Sequence, residues 1–556
     1  MKAKYFLTRA TAILILITCY FNSCKKPTDG ITWTVNTDVY KSPVLIRFVN
    51  ANNSSSTQLP SSFSVQITGQ DADKVIMGDG GTDFKVMNGF LPLALVSTAT
   101  PSPANPVVFN VYATIPGFAP VSQTFIVTND TMPVSHVLYA VEYANPPDGT
   151  SFKDQNDILT NGVSGDITIT TPAVGSMTET STINISGGTQ MLDASGNAIT
   201  ASGLETKVIH FGTGTQSSVL SFPGGFNPVD ITYNGQALHD LTFKTGGFLS
   251  INMTAGSTQV KGFSKPINVA AELNDGLINP LTNAPLNVGD TIPIWSMNEQ
   301  TGQWKYESTA TVYLSTTSGK KAISFQASHL SCWNIDWWFA ACGSTLTVKV
   351  HIPSPAGFRP QYEMVLVDAN GQYLGGLYTD DTWGTVATLY DGLVTTIPRV
   401  PDIGQAKIVV YTRRGDPTSK IAETALFNPC TQGTIDITIN PPAPPQLVNV
   451  HLNVEGKCTN KNIVTEVSTW VYLYKLNSAW WDWIIVPVIK GQADLQLEQG
   501  ATYFVVTYYG GWYVTQGVFD KTNTNFPAQN GLEGTATYNA TTNTVTANLT
   551  FPLTCQ

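Results

Sequence analysis

Leu447-Val448-Asn449-Val450-His451-Leu452-Asn453-Val454 alternates apolar and polar residues without a break. A period of two puts every second side chain on one face, so this stretch is a strand with a dry side and a wet side, His451 on the wet one. The signature recurs along the chain. Thr345 to Ile352 repeats it and places His351 with Thr347 and Lys349 on the polar face. Val44 to Val49, Phe63 to Ile67, Val107 to Tyr112, Glu363 to Val367, Ala406 to Tyr411, Thr434 to Ile439 and Asn543 to Phe551 also read as strands. Turn-rich segments such as Gly78-Asp79-Gly80-Gly81 separate them, and Val367 runs into a hairpin turn at Asp368-Ala369-Asn370-Gly371. Short strands at this spacing predict an all-β chain of tandem β-sandwiches, Ig-like in type, strung as an elongated array.

Composition supports that class. Only 12% of the residues are charged, against roughly 25% in an average soluble domain. Thr, Ser, Asn and Gly take their place, a mix that suits polar sheet faces and is poor for helices. The net charge is −10, from 29 basic and 39 acidic residues. Such a surface repels phosphate backbones, so nucleic acid is not an expected partner. At about 100–200 residues per domain, 556 residues suit three to five domains.

The front of the chain carries an address. Lys2, Lys4 and Arg9 precede an almost wholly apolar run from Thr11 to Tyr20, and Phe21-Asn22-Ser23-Cys24 follows. Charged, greasy, then small is the layout of a secretory signal. The run is too short for a membrane span of about 20 apolar residues. Its Ser23-Cys24 end resembles the lipobox of bacterial lipoproteins, although Phe21 stands where that family prefers Leu. The resemblance implies a signal peptide over 1–23, an acyl chain such as palmitate on Cys24, and attachment to the cell envelope at the outer membrane. Residues 24–30 would be the tether. Lys25-Lys26-Pro27-Thr28-Asp29 lacks the acidic run of surface-export signals, which leaves the periplasmic and surface faces both open. The plainer alternative is a cleaved signal with a bystander cysteine.

Four units follow. The first covers 31–147, with Ile31, Trp33 and Val35 read as its first strand. Pro146-Pro147-Asp148-Gly149 marks the boundary to 152–338. That second unit holds Leu192-Asp193-Ala194-Ser195-Gly196-Asn197-Ala198, Ser221-Phe222-Pro223-Gly224-Gly225-Phe226, Val288 to Ser296, Glu299 to Trp304, and His329 to Asp336. In this order the motifs resemble a β-rich extracellular module found in cartilage intermediate layer protein, with Cys332 where relatives carry Trp. Trp295 and Trp304 flank a turn at 298–302, which predicts a hairpin with a large aromatic on each arm. The third unit, 343–440, resembles a carboxypeptidase regulatory-like sandwich, without an evident catalytic partner. A stiff Pro441-Pro442-Ala443-Pro444-Pro445 spacer leads to the last sandwich, 446–556.

Five of the seven cysteines lie beyond the leader, and in an exported chain they can pair. Cys342 and Cys430 bracket the third unit. Cys458 follows the first strand of the fourth unit and Cys555 its last, which predicts a bridge. The partner of Cys332 stays open.

The chemistry is sparse. Trp470, Tyr472 and Tyr474 alternate, then Trp480, Trp481 and Trp483 follow, with Tyr503, Tyr508, Tyr509, Trp512 and Tyr513 close behind. Trp470, Tyr472, Trp480, Trp481, Trp483 and Trp512 are therefore candidates for an exposed platform that stacks on sugar rings or a surface protein. The competing reading is a sandwich core plus one oily loop. Asp71, Asp73, Asp79 and Asp83 could gather calcium, but Asp beside Gly is ordinary turn chemistry. His329, Cys332 and Asp336 fall together without the second cluster that zinc requires, so His329 reads as a packing residue. No nucleophile elbow, zincin, phosphate-loop or dinucleotide motif is present, and the six histidines are scattered. The expectation is a lipid-anchored adhesion or scaffold protein with no catalytic residues, metal or cofactor. Its partners would be the membrane, through the lipid, and a glycan or surface protein. A glycan-binding lipoprotein is the second reading and a hydrolase with an unrecognised site the third.

Overall fold

The computed structural model describes residues 33–36 and 41–553, apart from the internal segments 129–133, 354–360, 377–385, 413–416, 477–482 and 510–511 and scattered single residues or pairs. These residues are all-β, in tandem sandwiches, with one helix of four residues, Gln216–Val219, and two 3-10 turns. They fall into two compact units. One comprises residues up to 38 with 448–507 and 511–556, and the other is essentially 39–447.

Within 39–447 the first sandwich sets a sheet built around Lys41–Asn50 and the central strand Phe90–Leu95 against the three strands Gln66–Thr68, Val107–Ala113 and Val121–Val127. Its core includes Val44, Ile46, Leu91, Phe109 and Phe125, each nearly inaccessible. The second sandwich is larger, with a ten-stranded sheet facing a six-stranded one. At the centre of the larger sheet lies Leu241–Ala255, a strand of 15 residues whose first eleven are all buried. It does not alternate, because both faces of its sheet are covered. Leu249, Ile251 and Met253 enter the core between the two sheets. Phe243 and Phe248 enter a separate core on the other side, which also takes Ala51, Ala119 and Val141 from the first sandwich. The pairing of this strand with Cys332–Ala340 shifts register between Thr245 and Phe248. Gly247 there has φ +146°, a conformation that side chains rarely tolerate.

The predicted aromatic hairpin is present. Thr291–Asn298 pairs with Gln303–Thr311, and Trp295 and Trp304 each pack 5.0 Å from the Phe243 ring. Its turn docks into the first sandwich. Ser122 Oγ donates to the Glu299 carbonyl at 2.6 Å, Asn110 Nδ2 to the Glu299 and Gln300 carbonyls at 3.3 Å, and Thr68 Oγ1 to the Gln300 carbonyl at 2.5 Å. The hairpin is thus a plug as well as a turn.

The third sandwich sets Val394–Ile397, Leu346–His351 and Thr434–Thr438 against a five-stranded sheet centred on Gln361–Asp368. Cys342 and Cys430 are disulfide-bonded across it. As read from the sequence, Lys349 and His351 face water, and His351 Nε2 lies 2.8 Å from Asp436.

In the other unit, Leu447–Cys458 alternates strictly, with Val448, Val450, Leu452 and Val454 in the core. Each such side chain contributes roughly 1.5–3 kcal/mol when fully buried. A correction concerns the front of the chain. Trp33–Asn36 is a strand, but it does not open the 31–147 sandwich. It pairs in parallel with Ile463–Glu466, at the edge of the last sandwich's sheet. Alternation reports that a strand exists and not which sheet edge accepts it.

Gly302 tests the hairpin plug. A Cβ there would lie 2.5 Å from Thr124 Oγ1 and 2.7 Å from Asn110 Oδ1, at φ +73°. Gly302→Ala is expected to lower the unfolding free energy by about 1–3 kcal/mol. Equilibrium denaturation of the full chain checks this, and an unchanged midpoint would show that the turn is not held.

Candidate functional site

The aromatic platform comes out in two parts. Trp470 and Tyr472 are 5% and 0% exposed and belong to the core, not to a binding surface. Their strand, Thr469–Lys475, lies between Trp483–Val488 and Thr502–Tyr508, so its first five residues are buried on both faces. Tyr503 is buried as well, with its hydroxyl accepting from the Glu498 amide at 3.1 Å. Trp480 and Trp481 lie outside the described residues. Trp483 and Trp512 open the strands Trp483–Val488 and Trp512–Val518, and their side chains are outside the description.

Cys458 is disulfide-bonded, while Cys24 and Cys555 lie outside the described residues. Cys332 is a buried free thiol that donates to Glu299 Oε1 at 2.8 Å. Burial pushes both groups above their usual range, and the carboxylate raises the thiol further. Asp71 pairs with Lys74 at 2.7 Å and accepts the Val108 amide at 2.8 Å, so its oxygens serve a turn. Asp79 is outside the described residues. Among the described residues no group of three or more His, Cys, Asp or Glu could hold a metal ion.

The His329 to Asp336 stretch forms two separate clusters. The His329 ring stacks on Trp333 at 5.1 Å, with Nε2 3.0 Å from Glu307 Oε1. Ser296 donates to the same oxygen at 2.7 Å, and Lys305 to its neighbour at 3.1 Å. Burial would raise the Glu307 carboxyl, but these hydrogen bonds outweigh it and bring it down to about 2. Ser331 Oγ is 3.4 Å from His329 Nδ1, long for a hydroxyl donating to nitrogen. His329 is therefore a hydrogen-bonded packing residue. In the second cluster, Asp336 accepts Asn334 Nδ2 at 2.7 Å and is inaccessible to solvent. Among the described residues its Oδ1 has no hydrogen-bond partner. Burial pushes its carboxyl up to about 7, against hydrogen bonds from Thr245 and Asn334.

A feature that no motif announced is a cleft of about 400 Å³ where the second and third sandwiches meet. That size falls within the usual range of small-molecule sites, about 300–1,000 Å³. One wall comes from Thr213 to Ser217, around the short helix, where Thr215 caps the Ser218 amide. The other comes from the outward face of Gln361–Asp368 and the hairpin after it, with Val365, Val367, Asn370, Gln372 and Tyr373, and Tyr411 from the next strand. Val365, Val367 and Val409 form a small apolar cluster on which Tyr373 and Tyr411 pack. Lys244, just before the register shift of its strand, joins Asp368 in an ion pair whose side chains are both 5% exposed. Asp368 Oδ1 also accepts the amides of Asn370 and Gln372 at 2.8 Å. The same carboxylate thus shapes the hairpin and neutralises the cation.

No family model matches this chain, and no curated protein matches its sequence. Among solved structures it is similar to the minor pilin of Streptococcus agalactiae, at 11% identity over 38% of this chain and 98% of the pilin, with a TM-score of 0.13. It is also similar to the major pilin subunit of Bacillus cereus, at 10% identity over 72% of this chain and 99% of that one, with a TM-score of 0.13. The shaft pilin of Lactobacillus rhamnosus GG matches at 10% identity over 38% of this chain and 99% of that chain, with a TM-score of 0.14.

Asp336 predicts a pH dependence. A free aspartate titrates near 3.9, so a folded-state value raised to about 7 gives stability that is complete below about pH 4 and lost as pH rises through about 7. Asp336→Asn is expected to flatten this fall, by at most about 4 kcal/mol at pH 8. Urea denaturation of both proteins at pH 4 and pH 8 measures it. Equal slopes with pH would refute the assignment.

Proposed function

We propose that this chain is a non-catalytic, lipid-anchored protein of the cell envelope, acting in adhesion or as a scaffold. The carrying observation is the Cys342–Cys430 disulfide, because structural disulfides persist in oxidising compartments. That location agrees with a leader ending at Ser23-Cys24. The joint between the first two sandwiches, a shared apolar core and a plugged hairpin, also suits a part whose task is to hold position. The module-level likenesses, to cartilage intermediate layer protein over 152–338 and to carboxypeptidase regulatory-like domains over 343–440, belong to this reading. So does a Cys458–Cys555 bridge, which would put a second disulfide on the last sandwich.

The pairing of Trp33–Asn36 with Ile463–Glu466 adds a consequence. Trp33 lies nine positions after Cys24, a reach of at most about 32 Å when fully extended. An acyl chain on Cys24 would therefore hold the last sandwich close to the bilayer, although it is the most distant in sequence.

Metabolic labelling with a clickable fatty-acid analogue tests the anchor. Label is expected on the wild type in the membrane fraction and is lost in Cys24→Ser. An unlabelled wild-type product with reduced thiols would overturn the reading.

A further inference from the structure

The geometry points to the cleft between the second and third sandwiches as a binding site for an uncharged oligosaccharide. This inference is independent of the lipid anchor. Three features of the cleft define the ligand class.

The first is charge. Lys244 is matched by Asp368 in a buried pair, so it has no charge to offer a phosphate, sulfate or carboxylate without exposing its partner. Among the described lining residues the other charged one is Asp148, which is exposed and already accepts from Ser176 Oγ at 2.6 Å. From the described residues an ionic ligand would lose its hydration without gaining an unmatched counter-charge.

The second is the floor. Val365 and Val367 are almost fully buried, and Tyr373 and Tyr411 pack on the cluster they form. Tyrosine combines an apolar ring with a polar edge. That surface suits a ligand with C–H faces and hydroxyl edges.

The third is the polar rim. Asn370, Gln216 and Ser217 bring amides and a hydroxyl to the rim, of which Gln216 Nε2 already donates to Glu363 at 3.0 Å and Ser217 Oγ to the Asp148 carbonyl at 3.1 Å. Gln372 lines the same cleft, and among the described residues its buried Oε1 has no hydrogen-bond partner. A buried acceptor of this kind calls for a donor, and a sugar hydroxyl supplies one without bringing charge.

The test is calorimetry on the full chain with neutral gluco-, manno-, xylo- and galacto-hexasaccharides, and with oligogalacturonate as the anionic comparison. At least one neutral probe is expected to bind, and Gln372→Ala and Tyr411→Ala are each expected to weaken it by roughly tenfold or more. His351→Ala, in a strand outside the cleft, should leave affinity unchanged. Melting curves show whether each variant is folded; if Tyr411→Ala is not, Gln372→Ala decides alone. No neutral probe binding at about 10 mM, tighter binding of oligogalacturonate, or affinity unmoved in folded Gln372→Ala would each overturn the proposal.

Discussion

A sheet with two apolar faces must be covered twice, and this requirement organises residues 39–447. Leu241–Ala255 runs through the middle of the ten-stranded sheet and is buried for most of its length. One of its faces is met by the six-stranded sheet of the same sandwich. The other carries Phe243, Phe248, Trp295 and Trp304, a large aromatic area that water would otherwise contact. At about 25 cal/mol per Å² of apolar surface, leaving it exposed is untenable for a domain of ordinary stability. Val219 to Phe226 of the same unit and Ala51, Ala119 and Val141 of the first sandwich supply the cover together, and two units legible as separate domains become one packed body.

Polar contacts then fix how the covers sit. Apolar faces can slide, because the hydrophobic effect has no direction, whereas hydrogen bonds do not tolerate sliding. Against the first sandwich, the Glu299 carbonyl receives Ser122 and Asn110, while the Glu299 side chain receives the Cys332 thiol. Against the third sandwich, Lys244 meets Asp368 and Gln216 donates to Glu363 at 3.0 Å. Buried pairs of this type contribute little net stability, but breaking one leaves a stranded charge. Their role here is register. The second joint is less fully closed than the first, and the cleft lined by Gln372 lies there.

The Trp480-Trp481 neighbourhood drew attention in the sequence because aromatic clustering is rare. Trp470 and Tyr472 show how such clustering misleads. A central strand of a sandwich is covered on both sides, so alternating aromatics on it are core whichever face they take. Residues of the cleft carried no comparable signal. Gln372, Tyr373 and Tyr411 are unremarkable in isolation, and Lys244 and Asp368 lie 124 positions apart.

By itself the sequence determined the class of fold and the local pieces: the period-two strands, the 298–302 hairpin with its two tryptophans, the turn after Val367, the water-facing His351 and the bracketing Cys342 and Cys430. All of these follow from periodicity, turn chemistry and spacing, which act over a few residues or at the ends of one unit. Tertiary structure alone decided that Trp33–Asn36 joins the last sandwich, that Cys332 meets Glu299, and that a cleft opens beside Lys244. Edge pairing, burial and charge matching depend on which surfaces come together in space, and no local pattern of residues encodes that choice.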